Sequence, residues 1–165
     1  MNSKKIMAAE ISTLTEADRP WVRDFIINHW CSPEIVVHSE VYSPENLEGY
    51  KAIIEDRIAG LITWVIRGSA CEIITLNSTI KRNGVGGALL QAAEDVARGN
   101  GCTRCWLMTT NDNLAAVQFY RHRGYRITAI AWGAVKSARR IKPGIPQTGE
   151  NGIPICYEIT LEKKL

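Results

Sequence analysis

The stretch Lys81-Arg82-Asn83-Gly84-Val85-Gly86-Gly87-Ala88-Leu89-Leu90 runs a basic, glycine-rich loop straight into an apolar helix start. Glycine lacks the Cβ that would keep a ligand away from the backbone. The helix that follows adds unpaired N–H donors and the positive end of its dipole. The segment therefore reads either as an anion cradle or as a tightly packed strand-to-helix turn, and its surroundings must decide.

Those surroundings are globular. A chain of 165 residues, 45% hydrophobic and 22% charged, suits one domain over residues 1–165 with its own core, and it excludes the disordered and membrane-spanning classes. No apolar run is long enough to cross a bilayer, and Met1-Asn2-Ser3-Lys4-Lys5 lacks the apolar core of a secretion signal, so the expected location is the cytoplasm with no membrane partner. The five cysteines are an odd number scattered through core-like segments, which predicts reduced thiols. Cys102 and Cys105 form a C-x-x-C without a second pair or a histidine at metal spacing, and a strand starting at Cys102 would point them to opposite faces, so no metal is expected. A net charge of +3 is too mild to suggest nucleic acid, but its distribution is informative. Lys81 and Arg82 lie on the loop, and Arg121, His122, Arg123 and Arg126 cluster later, an arrangement suited to a polyanionic small molecule or to solvated helix ends.

Taken in order, Lys5 to Ile11 reads as a strand, and Thr15-Glu16-Ala17-Asp18 caps a helix running to about Trp30 with Pro20 in its first turn. Cys31 to Leu47 mixes strand-forming Ile35-Val36-Val37 with turn signals and is expected to be short and irregular, with His38 structural or on the surface unless it faces a pocket. Tyr50 to Glu55, Ile58 to Arg67 and Cys71 to Asn77 form an antiparallel meander with turns at Asp56-Arg57 and Gly68-Ser69. After the glycine loop come a helix from Val85 to Arg98, a strand from Cys102 to Thr109 and a helix from Leu114 to Arg123 capped by Asn111-Asp112-Asn113. Tyr125 to Trp132 is a strand, Gly133 to Pro154 a long ordered loop, Ile155 to Leu161 the last strand, and Glu162-Lys163-Lys164 a solvated tail. The fold class is α/β or α+β: a mixed, largely antiparallel sheet of about six to seven strands with helices on both faces.

The glycine loop is followed at a fitting distance by Asn113-Leu114-Ala115-Ala116-Val117-Gln118-Phe119-Tyr120-Arg121-His122-Arg123-Gly124-Tyr125. Together the two segments resemble the GNAT superfamily of N-acetyltransferases, over about Ile58 to Trp132. There, a loop (Arg or Gln)-x-x-Gly-x-(Gly or Ala) binds the acetyl-CoA pyrophosphate, and an Asn-x-x-Ala-x-x-aromatic-Tyr run lines the pantetheine and thiol end. This chain departs from the pattern in having Lys81 at the Arg or Gln position, which keeps the charge and loses the planar fork. The resemblance implies acetyl-CoA as cosubstrate. The implied binding residues are the loop Lys81, Arg82, Asn83, Gly84, Val85, Gly86 and Gly87, the strand edge at Ile74 and Leu76, and Asn113, Phe119 and Tyr120.

It also implies direct transfer to a primary amine on a small molecule or a peptide N-terminus, with an acyl-CoA-binding sensor or partner module as the alternative. Direct transfer requires that the ammonium lose a proton, that the oxyanion meet an N–H donor, and that the leaving thiolate find an acid. Tyr120 matches the tyrosine beside the sulfur, a backbone N–H near Leu76 is the expected oxyanion donor, and Glu72 is the candidate base. Alternation places Glu72 on the face of Ile74 and Leu76, where burial would raise its pKa; Glu158 is the rival base. A nucleoside-triphosphate P-loop is excluded, because the Gly-Lys-Ser/Thr ending is missing. The acceptor pocket is expected from Trp21 to Tyr42 and Gly133 to Pro154, with Lys142-Pro143-Gly144-Ile145-Pro146 either covering the acceptor or forming a homodimer contact.

Overall fold

The structure, a computed structural model, describes residues 8–81 and 83–165. The chain runs through β1 (Glu10–Thr13), α1 (Arg19–Trp30), a hairpin of β2 (Ile35–Val37) and β3 (Glu40–Tyr42), and the meander β4 (Glu48–Ile54), β5 (Arg57–Arg67) and β6 (Ala70–Ser78). It continues through α2 (Val85–Gly99), β7 (Arg104–Thr110), α3 (Leu114–Arg121), β8 (Arg126–Ala131), α4 (Ala134–Ile141) and β9 (Glu158–Lys164). Seven strands make one sheet in the order β1-β4-β5-β6-β7-β9-β8, and β2 with β3 makes a separate two-stranded sheet. All pairings in the large sheet are antiparallel except β6 with β7. This is the mixed sheet expected from the sequence.

Alternation along the meander sorts the core into two layers. Ile62 and Trp64 of β5 join Leu89, Leu90, Ala93 and Ala97 of α2, while Leu61 faces the other way against Val22 and Ile26 of α1. Each large aliphatic side chain so buried contributes about 1.5–3 kcal/mol, which is why an eleven-residue strand apolar on both faces sits mid-sheet.

Several expectations change. The segment Cys31 to Leu47 holds an ordered hairpin, made possible by left-handed backbone at His38 (φ 40°) and Ser39 (φ 65°), the geometry of a two-residue primed turn. The turn before β5 is of the same kind and falls on Glu55 and Asp56 (φ 49° and 58°), one residue earlier than expected. The excursion after β8 is not all loop, because its prolines and most of its glycines lie beyond Lys142, leaving Ala134–Ile141 free to coil with Val135 and Ala138 buried. The final strand is displaced as well. Glu162 and Lys163, expected in a solvated tail, pair with Trp106 and Cys105 in β9, and Lys163 reaches inward to Glu94 at 2.7 Å. The first strand begins at Glu10 among the described residues; the Lys5 to Met7 part of that expectation lies outside them.

Asp18 fastens α1 to the sheet. Its Oδ2 accepts from the Thr15 backbone (2.8 Å) and hydroxyl (3.0 Å), and its Oδ1 accepts from Trp21 Nε1 (2.8 Å) and from Lys51 Nζ on β4 (2.6 Å). Burial alone would raise this carboxyl, but the Lys51, Trp21 and Thr15 hydrogen bonds more than offset that and leave it well below the usual range. A carboxylate depressed in the folded state stabilises above its unfolded pKa, and that contribution is lost as pH falls through the folded value. Thermal unfolding followed by circular dichroism should therefore show the melting temperature falling below about pH 4, and falling less steeply in Asp18→Asn.

Candidate active site

Parallel pairing of β6 with β7 covers only Ala70 with Arg104, Cys71 with Cys105 and Glu72 with Trp106. Beyond that the two strands diverge, although β6 runs on to Ser78 and β7 to Thr110. The edge of β6 from Ile73 onward thus faces an open wedge whose vertex lies at Glu72 and Trp106. The glycine loop follows the far end of β6, so it stands at the wedge's mouth.

At that mouth Gly84 caps α2 with φ 77°, a conformation that suits glycine. The neighbouring glycines are needed for space. A Cβ on Gly86 would meet the Phe119 ring at 3.3 Å, and one on Gly87 would meet Arg123 Nη2 at 2.9 Å. Arg123 lies over the Phe119 ring (3.7 Å to the centroid) and anchors to the Phe119 carbonyl (3.1 Å), which sets a guanidinium beside the α2 N-terminus. The sequence grouped Arg123 with a basic cluster suited, together with the loop cations, to a polyanionic small molecule, but not with Gly87 in particular. Lys81 and Gly84 are exposed, Asn83, Gly86 and Gly87 half-buried and Val85 buried; Arg82 lies outside the described residues. Asn113 is exposed and caps α3, its Oδ1 accepting from the Ala116 N–H at 3.2 Å.

A bulge changes the register of β6. Thr63 pairs with Thr75 and Trp64 with Ile73, so Ile74 is an extra residue and the alternation flips across it. Glu72 therefore shares its face with Thr75, whose hydroxyl meets that of Thr63 at 2.8 Å, and not with Leu76, which packs on the opposite layer. The expected common face of Glu72, Ile74 and Leu76 fails for this reason.

On its own face the buried Glu72 meets the hairpin. His38 Nε2 lies 2.6 Å from Glu72 Oε1, and the Tyr42 hydroxyl lies 3.4 Å from Oε2. The His38 ring also tilts over Trp106 at 5.6 Å. Glu40 holds the other side of Tyr42, accepting from its hydroxyl (2.7 Å) and from Arg67 (2.7 and 3.2 Å); the Arg67 bond foremost lowers the Glu40 carboxyl to about 2. Glu158, at the start of β9 and only 5% exposed, completes the group, with its carboxyl pushed up by burial against the opposing effect of the His38 backbone N–H. His38 is the residue sequence reasoning undervalued: it lies 34 positions from its carboxylate, and nothing local in the sequence connects the two.

Tyr120 is buried against Phe119 and Tyr125, with ring centroids 5.1 and 5.3 Å away. Its hydroxyl has no hydrogen-bond partner among the described residues, and burial pushes its pKa up, so it stays a protonated donor.

A glycine-loop helix terminus, a wedge between parallel strands and a histidine–carboxylate pair at the vertex make up the candidate site. Residues 15–125 match the model of the Acetyltransferase (GNAT) family, and the chain belongs to that family. It is 44% identical over 149 residues to the uncharacterized protein YdhI of Bacillus subtilis (strain 168), covering 90% of this chain and 93% of that one. Its fold is similar to the IAA acetyltransferase from Bacillus cereus ATCC 14579, with a TM-score of 0.71 at 18% identity over 96% of this chain and 100% of that one. It is similar also to a GNAT family acetyltransferase from Elizabethkingia anophelis with acetyl-CoA bound, with a TM-score of 0.67 at 21% identity over 95% of this chain and 98% of that one.

The cysteines divide by burial. Cys71, Cys102 and Cys105 are buried, Cys31 and Cys156 are exposed, and all five are free. Cys105 partners Cys71 across β6 and β7, not Cys102, which precedes β7. Donation to Cys105, together with burial, pushes the Cys71 thiol far above its ordinary value. Because strand β7 begins at Arg104, Cys102 and Cys105 do not alternate, and both point inward. Titration of the native protein with a chromogenic disulfide reagent should therefore show two fast thiols, with the remaining three reacting only on unfolding; a third fast thiol would contradict this packing.

Proposed function

We propose that the protein is an N-acetyltransferase, one domain over residues 1–165 acting in the cytoplasm, which moves an acetyl group from acetyl-CoA to a primary amine of a small molecule or a peptide N-terminus. The observation that carries this reading is the wedge, which has a glycine cradle at its mouth and a proton-accepting pair at its vertex. Acetyl-CoA would supply an activated acetyl thioester. The cradle fits its pyrophosphate, because the α2 N-terminus with the Arg123 guanidinium packed against Gly87 favours an anion. Lys81, Arg82 and Asn83 would add charge and donors to Gly84, Val85, Gly86 and Gly87. The unpaired edge at Ile74 and Leu76 would hold the pantetheine, with Asn113, Phe119 and Tyr120 along the opposite wall.

At the vertex, the roles of Glu72 and His38 follow from their contact. His38 directs Nε2–H at Glu72, which leaves Nδ1 to accept a proton from the acceptor's ammonium, so Glu72 acts by orienting the imidazole. A backbone N–H on the free edge near Leu76 is aimed where an oxyanion would develop, and the Tyr120 hydroxyl, protonated and unpartnered, would donate to the departing sulfur. His38→Asn keeps a residue that tolerates the left-handed turn, and it should lower kcat about 10²–10⁴-fold, as should Glu72→Gln. Tyr120→Phe should lower kcat while changing acetyl-CoA affinity less than about threefold. Steady-state turnover on polyamines, amino acids, aminoglycosides and peptide N-termini, paired with acetyl-CoA thermal shifts, reads both. Stabilisation without turnover on any amine would favour a binding module, and no stabilisation by any acyl-CoA would overturn the reading.

A further inference from the structure

Glu158 is the buried group that the proposed transfer does not use. It is 5% exposed, and its Oε2 is buried without a hydrogen-bond partner among the described residues. Register places it opposite Thr110 of β7 and Ala131 of β8. Thr110 follows Trp106 and Met108 along one face of β7, and Trp106 is paired with Glu72, so Glu158 and Glu72 open on the same side of the sheet. The His38 turn lies over both: its imidazole is held by Glu72, and its backbone N–H is against Glu158.

The two carboxylates are unequal. Glu72 is held by His38 at 2.6 Å, the single Tyr42 proton being given to Glu40, whereas Glu158 keeps one bare oxygen in a dry position where an unpaired charge is costly. The other buried carboxylates with a cationic partner have it built in, Lys51 for Asp18 and Lys163 for Glu94. An oxygen left bare beside the vertex calls for a cation that arrives with the substrate.

The geometry points to Glu158 as the anchor for a second positive charge, so that the acetyl acceptor is a diamine: one nitrogen is deprotonated by the His38–Glu72 pair while the other stays an ammonium on Glu158. This rests on the reading of the vertex as the site of acetyl transfer. Only one nitrogen can be the nucleophile and it must be neutral when it attacks, so a carboxylate apart from the base is served by a nitrogen that stays charged.

The test compares α,ω-diamines of three to six carbons with n-alkylamines one carbon longer, which replace the distal ammonium by a methyl of similar size. For the wild-type protein, at least one diamine should exceed its isostere in kcat/KM by about tenfold or more, and in Glu158→Gln that ratio should collapse toward one. Equal kcat/KM for diamine and isostere, or a preference that survives Glu158→Gln, would overturn the proposal. The wild-type comparison requires no variant to fold. Should acetyl-CoA bind and no amine of the wider panel be acetylated, the transfer reading fails separately. The diamine site then stands on thermal stabilisation by the diamine over its isostere, absent in Glu158→Gln, and lack of such stabilisation sinks it.

Discussion

The divergence of β6 from β7 is the constraint on which the site depends. Two parallel strands that stayed paired would satisfy each other's backbone and leave no edge for a ligand. Here pairing stops at Glu72 and Trp106, and the Ile74 bulge on β6 shifts register just where it stops. Bulges strengthen local twist, so the extra residue both turns β6 away and flips the side chains beyond it. One inserted residue thus opens the wedge and separates Glu72 from the Leu76 layer.

Four buried carboxylates surround this frame, and their partners distinguish structural work from chemistry. Asp18 is saturated by donors from its own helix entry and from Lys51. Glu94 of α2 accepts from the Tyr125 hydroxyl (3.0 Å) and from Lys163 (2.7 Å), with Arg98 at 3.6 Å, tying the helix to both flanks of the sheet's far edge. Both are finished ion clusters of the kind that fix packing. Glu72 is coupled to a titratable imidazole and Glu158 is incompletely partnered, and these two share the vertex face.

Much of this was legible in the residues. Periodicity located α1, α2, α3 and the meander, and the glycine loop with the Asn113 to Tyr125 segment indicated the cosubstrate end. What was not legible depends on pairing. Strict alternation aligned Glu72 with Leu76, and nothing local marks Ile74 as an added residue. His38 looked like an isolated histidine because its carboxylate comes from another sheet, and the helical run Ala134–Ile141 was masked by the prolines that follow it. Lys163 of β9 read as part of a tail because its counter-charge, Glu94, lies 69 positions away.

The strand order has a consequence for synthesis. β9 is the last strand made, yet it lies between β7 and β8, so β8 has no place in the sheet until β9 has inserted beside it. Glu158 travels on that same strand. A ribosome-bound chain can therefore form the meander, α2 and the glycine cradle early, while the vertex still lacks one of its carboxylates. The mouth of the wedge can form before its far end is complete, so its two ends become separate events in the folding of each molecule.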